Sequence, residues 1–343
     1  VEKIKNKILV TGGTGYIGSH TVAELQQSGF EVSIIDNLSN SSIEVIDRIE
    51  MITGIRPHFT KLDLKDKKAL ERYFEESSGF DGVIHFAASK AVGESLQKPL
   101  EYYENNIGGL INLLFEINKS GIGNLVFSSS CTVYGQPDKL PVTENTPIKP
   151  AMSPYGNTKK ISEDIISDSV KAGGKFKAIS LRYFNPIGAH SSALIGELPL
   201  GVPNNLMPYI TQTAIGKREK LKIYGNDYDT PDGTAIRDYI HVVDLAKAHV
   251  ISLQRMQNKT MRSDYEVFNL GTGNGFSVLE VINAFEKSTG QKLIREFGPR
   301  REGDIVQIWA DCTYANNELG WKAQLGIDEM TRSAWEWEKS LNC

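Results

Sequence analysis

Short apolar runs recur along the first half of the chain, most of them closed by a glycine, a small residue or an acid. Ile8-Leu9-Val10, Val32-Ser33-Ile34-Ile35-Asp36 and residues 58–64, 82–88, 124–130 and 176–182 read as strands. Helical stretches fill the gaps over residues 16–29, 65–76, 105–118 and 154–171. Gly29 stops the first, and Pro154 opens the last at a position where its missing N–H does no harm. This alternation predicts an α/β fold, a Rossmann-like doubly wound parallel sheet. Beyond Arg182 the pattern breaks. Residues 183–237 are rich in Pro, Gly and Asn with little periodicity, a texture typical of binding regions. Residues 238–253 predict a strand, turn and helix returning to the sheet, and residues 265–275 a strand and a glycine-rich turn. A helix starts at Ser277, and small helices complete the chain. The division that follows is a first domain of residues 1–185, with 238–270 returning to it, and a smaller one of 186–237 plus 271–343.

The first strand runs into Thr11-Gly12-Gly13-Thr14-Gly15-Tyr16-Ile17-Gly18. Glycines let the backbone approach a pyrophosphate, and the helix N-terminus favours its charge. The spacing is Gly-x-x-Gly-x-x-Gly, one residue longer than the usual dinucleotide fingerprint. Asp36 ends the second strand, where a carboxylate binds the adenosine ribose and repels a 2′-phosphate, so NAD is expected rather than NADP. Gly12, Asp36, Asp63, Ala88, Ser130 and Phe184 all fall at or just past strand ends. Ligands of doubly wound sheets bind there, so these residues are expected to share one site.

Ser128-Ser129-Ser130 is followed by Tyr155-Gly156-Asn157-Thr158-Lys159. Tyr155 and Lys159 fall one turn apart on one helix face. A nearby ammonium favours the phenolate and would lower a tyrosine pKa of about 10. A surface Tyr/Lys pair gives the same spacing, so the glycine turn decides in favour of chemistry.

Composition sets the remaining limits. The 343 residues are 40% hydrophobic and 23% charged, with net charge -4, which suggests no nucleic-acid or membrane surface. Cys131, Cys312 and Cys343 are odd in number and widely spaced, so a reducing cytoplasm is expected. The charged start, Val1 to Lys7, lacks an apolar signal core, and no apolar run reaches membrane-span length. The six histidines show no metal-binding spacing, so no metal is expected. The serine triplet lacks the hydrolase elbow Gly-x-Ser-x-Gly. Trp335-x-Trp337 reads as core packing or a subunit contact. Of Arg182, Arg237 and Arg301, at least two are expected to meet phosphate.

Seven stretches together carry a resemblance: TGGTGYIG (11–18), KAVGES (90–95), SSSCTVYG (128–135), RYFNP (182–186), PNNLMPY (203–209), RDYIH (237–241) and RREGD (300–304). The chain resembles the extended short-chain dehydrogenase/reductase family and, within it, the UDP-hexose 4-epimerases. That resemblance implies a catalytic Ser130, Tyr155 and Lys159. It implies NAD held by Gly12, Gly15, Tyr16, Ile17, Gly18, Asp36, Asn37, Asp63, Leu64, Phe86, Ala87, Lys90, Asn105, Ser128, Tyr155, Lys159 and Phe184. It implies a UDP-hexose held by Lys90, Ser130, Tyr155, Asn185, Asn205, Leu206, Tyr224, Arg237, Arg301, Asp304 and Ile308. UDP-galactose and UDP-glucose would be interconverted by transient oxidation at C4, in a homodimer. Three departures stand out: Ala88-Ser89 for Gly-Leu, Cys131 for Ala, and Ile308 at a variable sugar-pocket position often held by tyrosine. An isoleucine there is expected to admit UDP-N-acetylhexosamines. Two other functions fit the residues less well. A 4,6-dehydratase needs an Asp-Glu pair where Cys131-Thr132 stands. A pure NAD-sensing module has no use for a base.

Overall fold

The computed structural model describes residues 6–77, 79–301 and 303–342. Cys343 lies outside the described residues, whereas Cys131 and Cys312 are free thiols. The chain opens as β1 (Lys7–Thr11), α1 (Tyr16–Gln27), β2 (Glu31–Asp36), α2 (Glu44–Thr53), β3 (His58–Lys61), α3 (Lys67–Glu76) and β4 (Gly82–His85). It continues through α4 (Val92–Gln97), α5 (Pro99–Tyr103), a π-turn (Glu104–Gly108) and α6 (Gly109–Ser120). Next come β5 (Asn124–Ser128), α7 (Pro154–Lys171) and β6 (Lys177–Tyr183). The second half holds β7 (Asn185–Ile187), α8 (Leu206–Ala214), β8 (Leu221–Tyr224), β9 (Ile236–His241), α9 (Val242–Gln257) and β10 (Tyr265–Leu270). It closes with β11 (Gly275–Ser277), α10 (Val278–Thr289), β12 (Arg295–Gly298), β13 (Gln307–Ile308) and α11 (Ile327–Ser340).

The main sheet is parallel, in the order β10-β6-β5-β4-β1-β2-β3. Apart from the edge strand β3, its strands are largely buried because helices cover both faces. Ile8, Val10, Ile34, Ile84 and Val126 face a core shared with α1, α2 and α9. Leu9, Ile35, Val83, Leu125 and Phe127 face the other, shared with α3, α6 and α7. Strand order reverses between β1 and β4, so their carboxyl ends open a crevice.

A second sheet places β9 between β11 and β13, with β7 also pairing β9, and β8 pairs with β12 separately. Here the expectation for 238–270 needs correction. The helix α9 and strand β10 do return to the main sheet, but the strand before them, β9, stays in the small one. A short apolar strand does not reveal its partner by periodicity, and β9 is matched by β7, whose pairing carries Asn185 opposite Tyr239. Two further elements differ from the sequence reading. Residues 206–214, within the irregular stretch, form α8, because Pro208 lies in the first turn, where no N–H is needed. The last helix, α11, has fourteen residues and packs Met330, Ala334 and Trp335 into the small core, with Trp335 edge-on to Phe285.

Candidate active site

Gly12 takes φ +72°, and a Cβ on it would lie 2.7 Å from the Ala87 nitrogen, so only glycine lets β1 turn away this close to the end of β4. A Cβ on Gly18 would meet the Gly12 carbonyl oxygen at 2.2 Å, which packs α1 hard against the turn. Gly15 precedes α1, and no side chain caps that N-terminus. Tyr16 and Ile17 follow in its first turn. The Tyr16 hydroxyl donates to the Gly188 carbonyl at 2.6 Å, tying this turn to the second half of the chain.

The neighbouring strand ends complete a trough. Asp36 accepts from the Thr14 N–H at 3.2 Å and from the Leu38 N–H at 2.9 Å, holding Leu38 in a left-handed conformation (φ 59°). Asn37 donates to Asp63 at 3.1 Å, and Leu64 packs against Gly109. Phe86 rests on the His249 ring, 4.6 Å between centres. Asn105 lies in the π-turn and donates to Ser89 at 3.3 Å. A glycine-lined, side-chain-free helix N-terminus with a carboxylate at the next strand end fits a dinucleotide. These residues would hold its pyrophosphate and its adenosine ribose.

At the end of β5, Lys159 Nζ donates to the Ser128 carbonyl at 2.6 Å and lies 4.9 Å above the Phe127 ring. Burial lowers the Lys159 pKa to about 8, with the charge of Glu163 opposing the drop. Ser128 Oγ and Tyr183 OH share a hydrogen bond of 2.5 Å. Ser130 Oγ accepts from the Thr132 hydroxyl at 3.0 Å and from the Thr132 N–H at 3.2 Å. Ser153 caps α7, so Tyr155 enters the site from the first turn, alongside Ser130. Burial pushes the Tyr155 phenol well above its ordinary value, the neighbouring Tyr183 adds to this, and the Ser130 hydrogen bond works against it. Lys159 is therefore turned toward the strand rather than paired with Tyr155, and in this arrangement burial dominates the phenol. Four groups predicted from sequence thus converge here: Ser128, Ser130, Tyr155 and Lys159.

The second half supplies the other wall. Asn185, Asn205 and Leu206 line a cavity with Pro186, Ile187 and Tyr239. Arg237 donates to Asp304 at 2.7 Å and to the carbonyls of Ile236 and Ile305. Arg301 and Lys222 flank the exposed Tyr224 ring, at 5.8 Å and 5.5 Å from its centre. Lys90, on the loop after β4, reaches Glu197 at 3.1 Å. Ile308 is 1% exposed and packs in one cluster with Cys131 and Phe184. Arg182 stands apart: it is buried in a bidentate pair with Glu163 and donates to Tyr134, so it is structural and leaves Arg237 and Arg301 as the phosphate candidates.

Several residues escaped the sequence reading. Glu163 accepts from Ser129 Oγ at 2.5 Å, stapling α7 to the end of β5 beside the lysine bond. Its spacing from Lys159 repeats that of Lys159 from Tyr155, so the same helix face could have revealed it. Asn106 (donating to Thr158 at 2.9 Å) and Glu197 lie in no stretch singled out in the sequence, and Tyr183, inside RYFNP, drew no role of its own.

Comparison with known proteins agrees with this geometry. A family model described as GDP-mannose 4,6 dehydratase matches residues 9–334. A UDP-glucose 4-epimerase of Erwinia amylovora is 51% identical over 331 residues, covering 96% of this chain and 97% of that one. A UDP-glucose 4-epimerase of Dictyostelium discoideum is 51% identical over 342 residues, covering 100% and 98%. The crystal structure of a Stenotrophomonas maltophila UDP-glucose-4-epimerase, with bound NAD and formylated UDP-arabinopyranose, superposes with a TM-score of 0.94 at 48% identity, covering 98% and 99%. With half its residues shared across nearly its whole length, this chain belongs to the UDP-glucose 4-epimerase family of the extended short-chain dehydrogenase/reductases.

Proposed function

We propose that the protein is an NAD-dependent isomerase that interconverts UDP-galactose and UDP-glucose through a 4-keto sugar. The observation that carries this is the buried Ser130, Tyr155 and Lys159 cluster, set beside the glycine turn in a chain half identical to UDP-glucose 4-epimerases. Bound in the trough, NAD would supply the acceptor and donor of the C4 hydride and a positive charge. Tyr155 takes the proton of the C4 hydroxyl as the carbonyl forms and gives it back on return. Lys159 adds a second positive charge one turn away, which its pKa of about 8 keeps in place at neutral pH. Ser130 hydrogen-bonds the C4 oxygen and relays its proton. Arg237 and Arg301 hold the diphosphate while the keto sugar turns over, with Asp304 sharing Arg237. Asn185, Asn205, Leu206 and Tyr224 hold the nucleotide. In this reading the dinucleotide occupies the main-sheet domain and the UDP-sugar the smaller one. Incubation with UDP-galactose and product analysis by NMR tests it: UDP-glucose is expected, and no conversion would refute it. A 4-keto-6-deoxy product would point to a dehydratase instead, but Cys131 is a buried thiol pushed up to about 12 and Thr132 is no acid.

Three finer points belong to the same proposal. The exposed Leu100 and Phe115, on α5 and α6, support a homodimer. Among the described residues, no helix is long and apolar enough to cross a membrane, and the free thiols of Cys131 and Cys312 support a cytoplasmic setting. Ile308, packed with Cys131 and Phe184, is smaller than the tyrosine often found at this position, which supports activity on UDP-N-acetylhexosamines. Overpacking costs about 1–3 kcal/mol, roughly 5- to 150-fold in discrimination. Ile308→Tyr should therefore lose UDP-N-acetylglucosamine epimerisation and keep UDP-galactose turnover. Equal loss of both would make Ile308 a packing residue.

A further inference from the structure

Glu197 takes no part in the machinery above, yet it stands where the two halves meet. Its Oε1 accepts from Lys90 Nζ at 3.1 Å and from Asn205 Nδ2 at 2.6 Å. Lys90 lies on the dinucleotide side, 5.7 Å from the centre of the Tyr16 ring. Asn205 lies on the substrate side, just before α8. One carboxylate oxygen thus joins a cation from one half to an amide from the other. The segment carrying it is fixed. Trp337 Nε1 donates to the Glu197 carbonyl at 2.9 Å, and a Cβ on Gly196 would lie 2.4 Å from the Trp337 ring. Asn205 occupies the N-cap position of α8 without capping it, because its side chain is drawn to Glu197. The second oxygen, Oε2, is buried with no partner. An unpaired buried carboxylate oxygen lowers stability, so packing alone does not account for a glutamate here.

We propose that Glu197 is a positioning residue that orients Lys90 and Asn205 at the seam, so that a nucleoside diphosphate sugar meets an aimed ammonium and an aimed amide. It acts through those two groups and touches no reacting atom. The inference rests on the function proposed above.

The test uses the NAD-loaded protein and the variants Glu197→Gln and Glu197→Ala. Glutamine keeps an acceptor for Asn205 but loses the charge that holds Lys90. Removing one partner of a charged pair typically weakens binding by ~10-fold or more. The expected result is a KM for UDP-galactose and a Kd for UDP raised about tenfold in the alanine variant and less in the glutamine variant, by the same principle, at unchanged kcat. NAD content should match the parent, and Tm should not fall. In a double-mutant cycle, Lys90→Met and Glu197→Gln should be far from additive. An unchanged KM and UDP affinity would overturn the proposal, as would additive effects or a joint fall of kcat, Tm and NAD content. Failure of the parent protein to convert UDP-galactose would instead refute the function, and the UDP titration would still read the seam independently.

Discussion

Replacing Lys159 by methionine should stabilise the fold at neutral pH while abolishing activity. The ammonium is buried and donates to one carbonyl, and burial moves its pKa from an ordinary 10.5 to about 8. The unfolded chain therefore binds more protons between pH 8 and 10.5, so this group's contribution to stability rises with pH across that window. At about 1.36 kcal/mol per pH unit, the full difference amounts to about 3 kcal/mol of destabilisation below pH 8. By the same linkage, about 2 kcal/mol of that is recovered between pH 7 and pH 9.5. Losing the hydrogen bond to Ser128 costs the variant about 1–3 kcal/mol, since that carbonyl is left without its partner. Net stabilisation at pH 7 is thus small, but the pH dependence is not. Urea denaturation of both proteins at pH 7 and 9.5 measures it directly. The parent should gain about 2 kcal/mol relative to the methionine variant between the two values. Parallel behaviour of the two proteins across that range would show that Lys159 is not a destabilised, charged group, and the assignment of its role would lose its physical basis.

Glu163→Gln leaves Arg182 buried beside a neutral amide and weakens the Ser129 contact, so it should cost about 3–5 kcal/mol in urea denaturation. An effect under 1 kcal/mol would mean that the pair does not hold α7 against β5. His249 donates from Nδ1 to the Leu245 carbonyl and is held neutral by burial, with its pKa lowered to about 4. The unfolded imidazole protonates first as pH falls below 6.5, so stability is lost from there toward pH 4, by up to about 1.4 kcal/mol per pH unit. His249→Phe should flatten that part of the acid-denaturation curve, and an unchanged slope would contradict the account.

The main sheet was legible because both requirements coincided in the sequence: apolar runs for strands buried on two faces, and glycines where β1 must turn beside β4. The strand-end rule placed Gly12, Asp36, Asp63 and Ser130 around one crevice without any contact being known. The second half was less legible for physical reasons. Its strands are short, and β9 reads alike in either sheet, because alternation specifies a buried face and not a neighbour. Helix α8 was hidden by its proline. Other polar residues that orient the site, Tyr183 and Glu197, act through pairings distant in sequence, such as Glu197 with Lys90. No local pattern encodes such a pairing. The expectation that Lys159 lowers the Tyr155 pKa rests on spacing, the glycine turn and the resemblance, none of which reports how deeply both groups are buried.

The central claim is that Tyr155 carries the proton in a C4 epimerisation. Tyr155→Phe removes that hydroxyl and little else, so the variant should fold and retain NAD. With UDP-galactose supplied at saturation, its rate of UDP-glucose formation should fall by about 10²–10⁴-fold, the span expected for losing a positioned acid–base group. A folded, NAD-loaded Tyr155→Phe protein that epimerises at near-parental rate would contradict the mechanism.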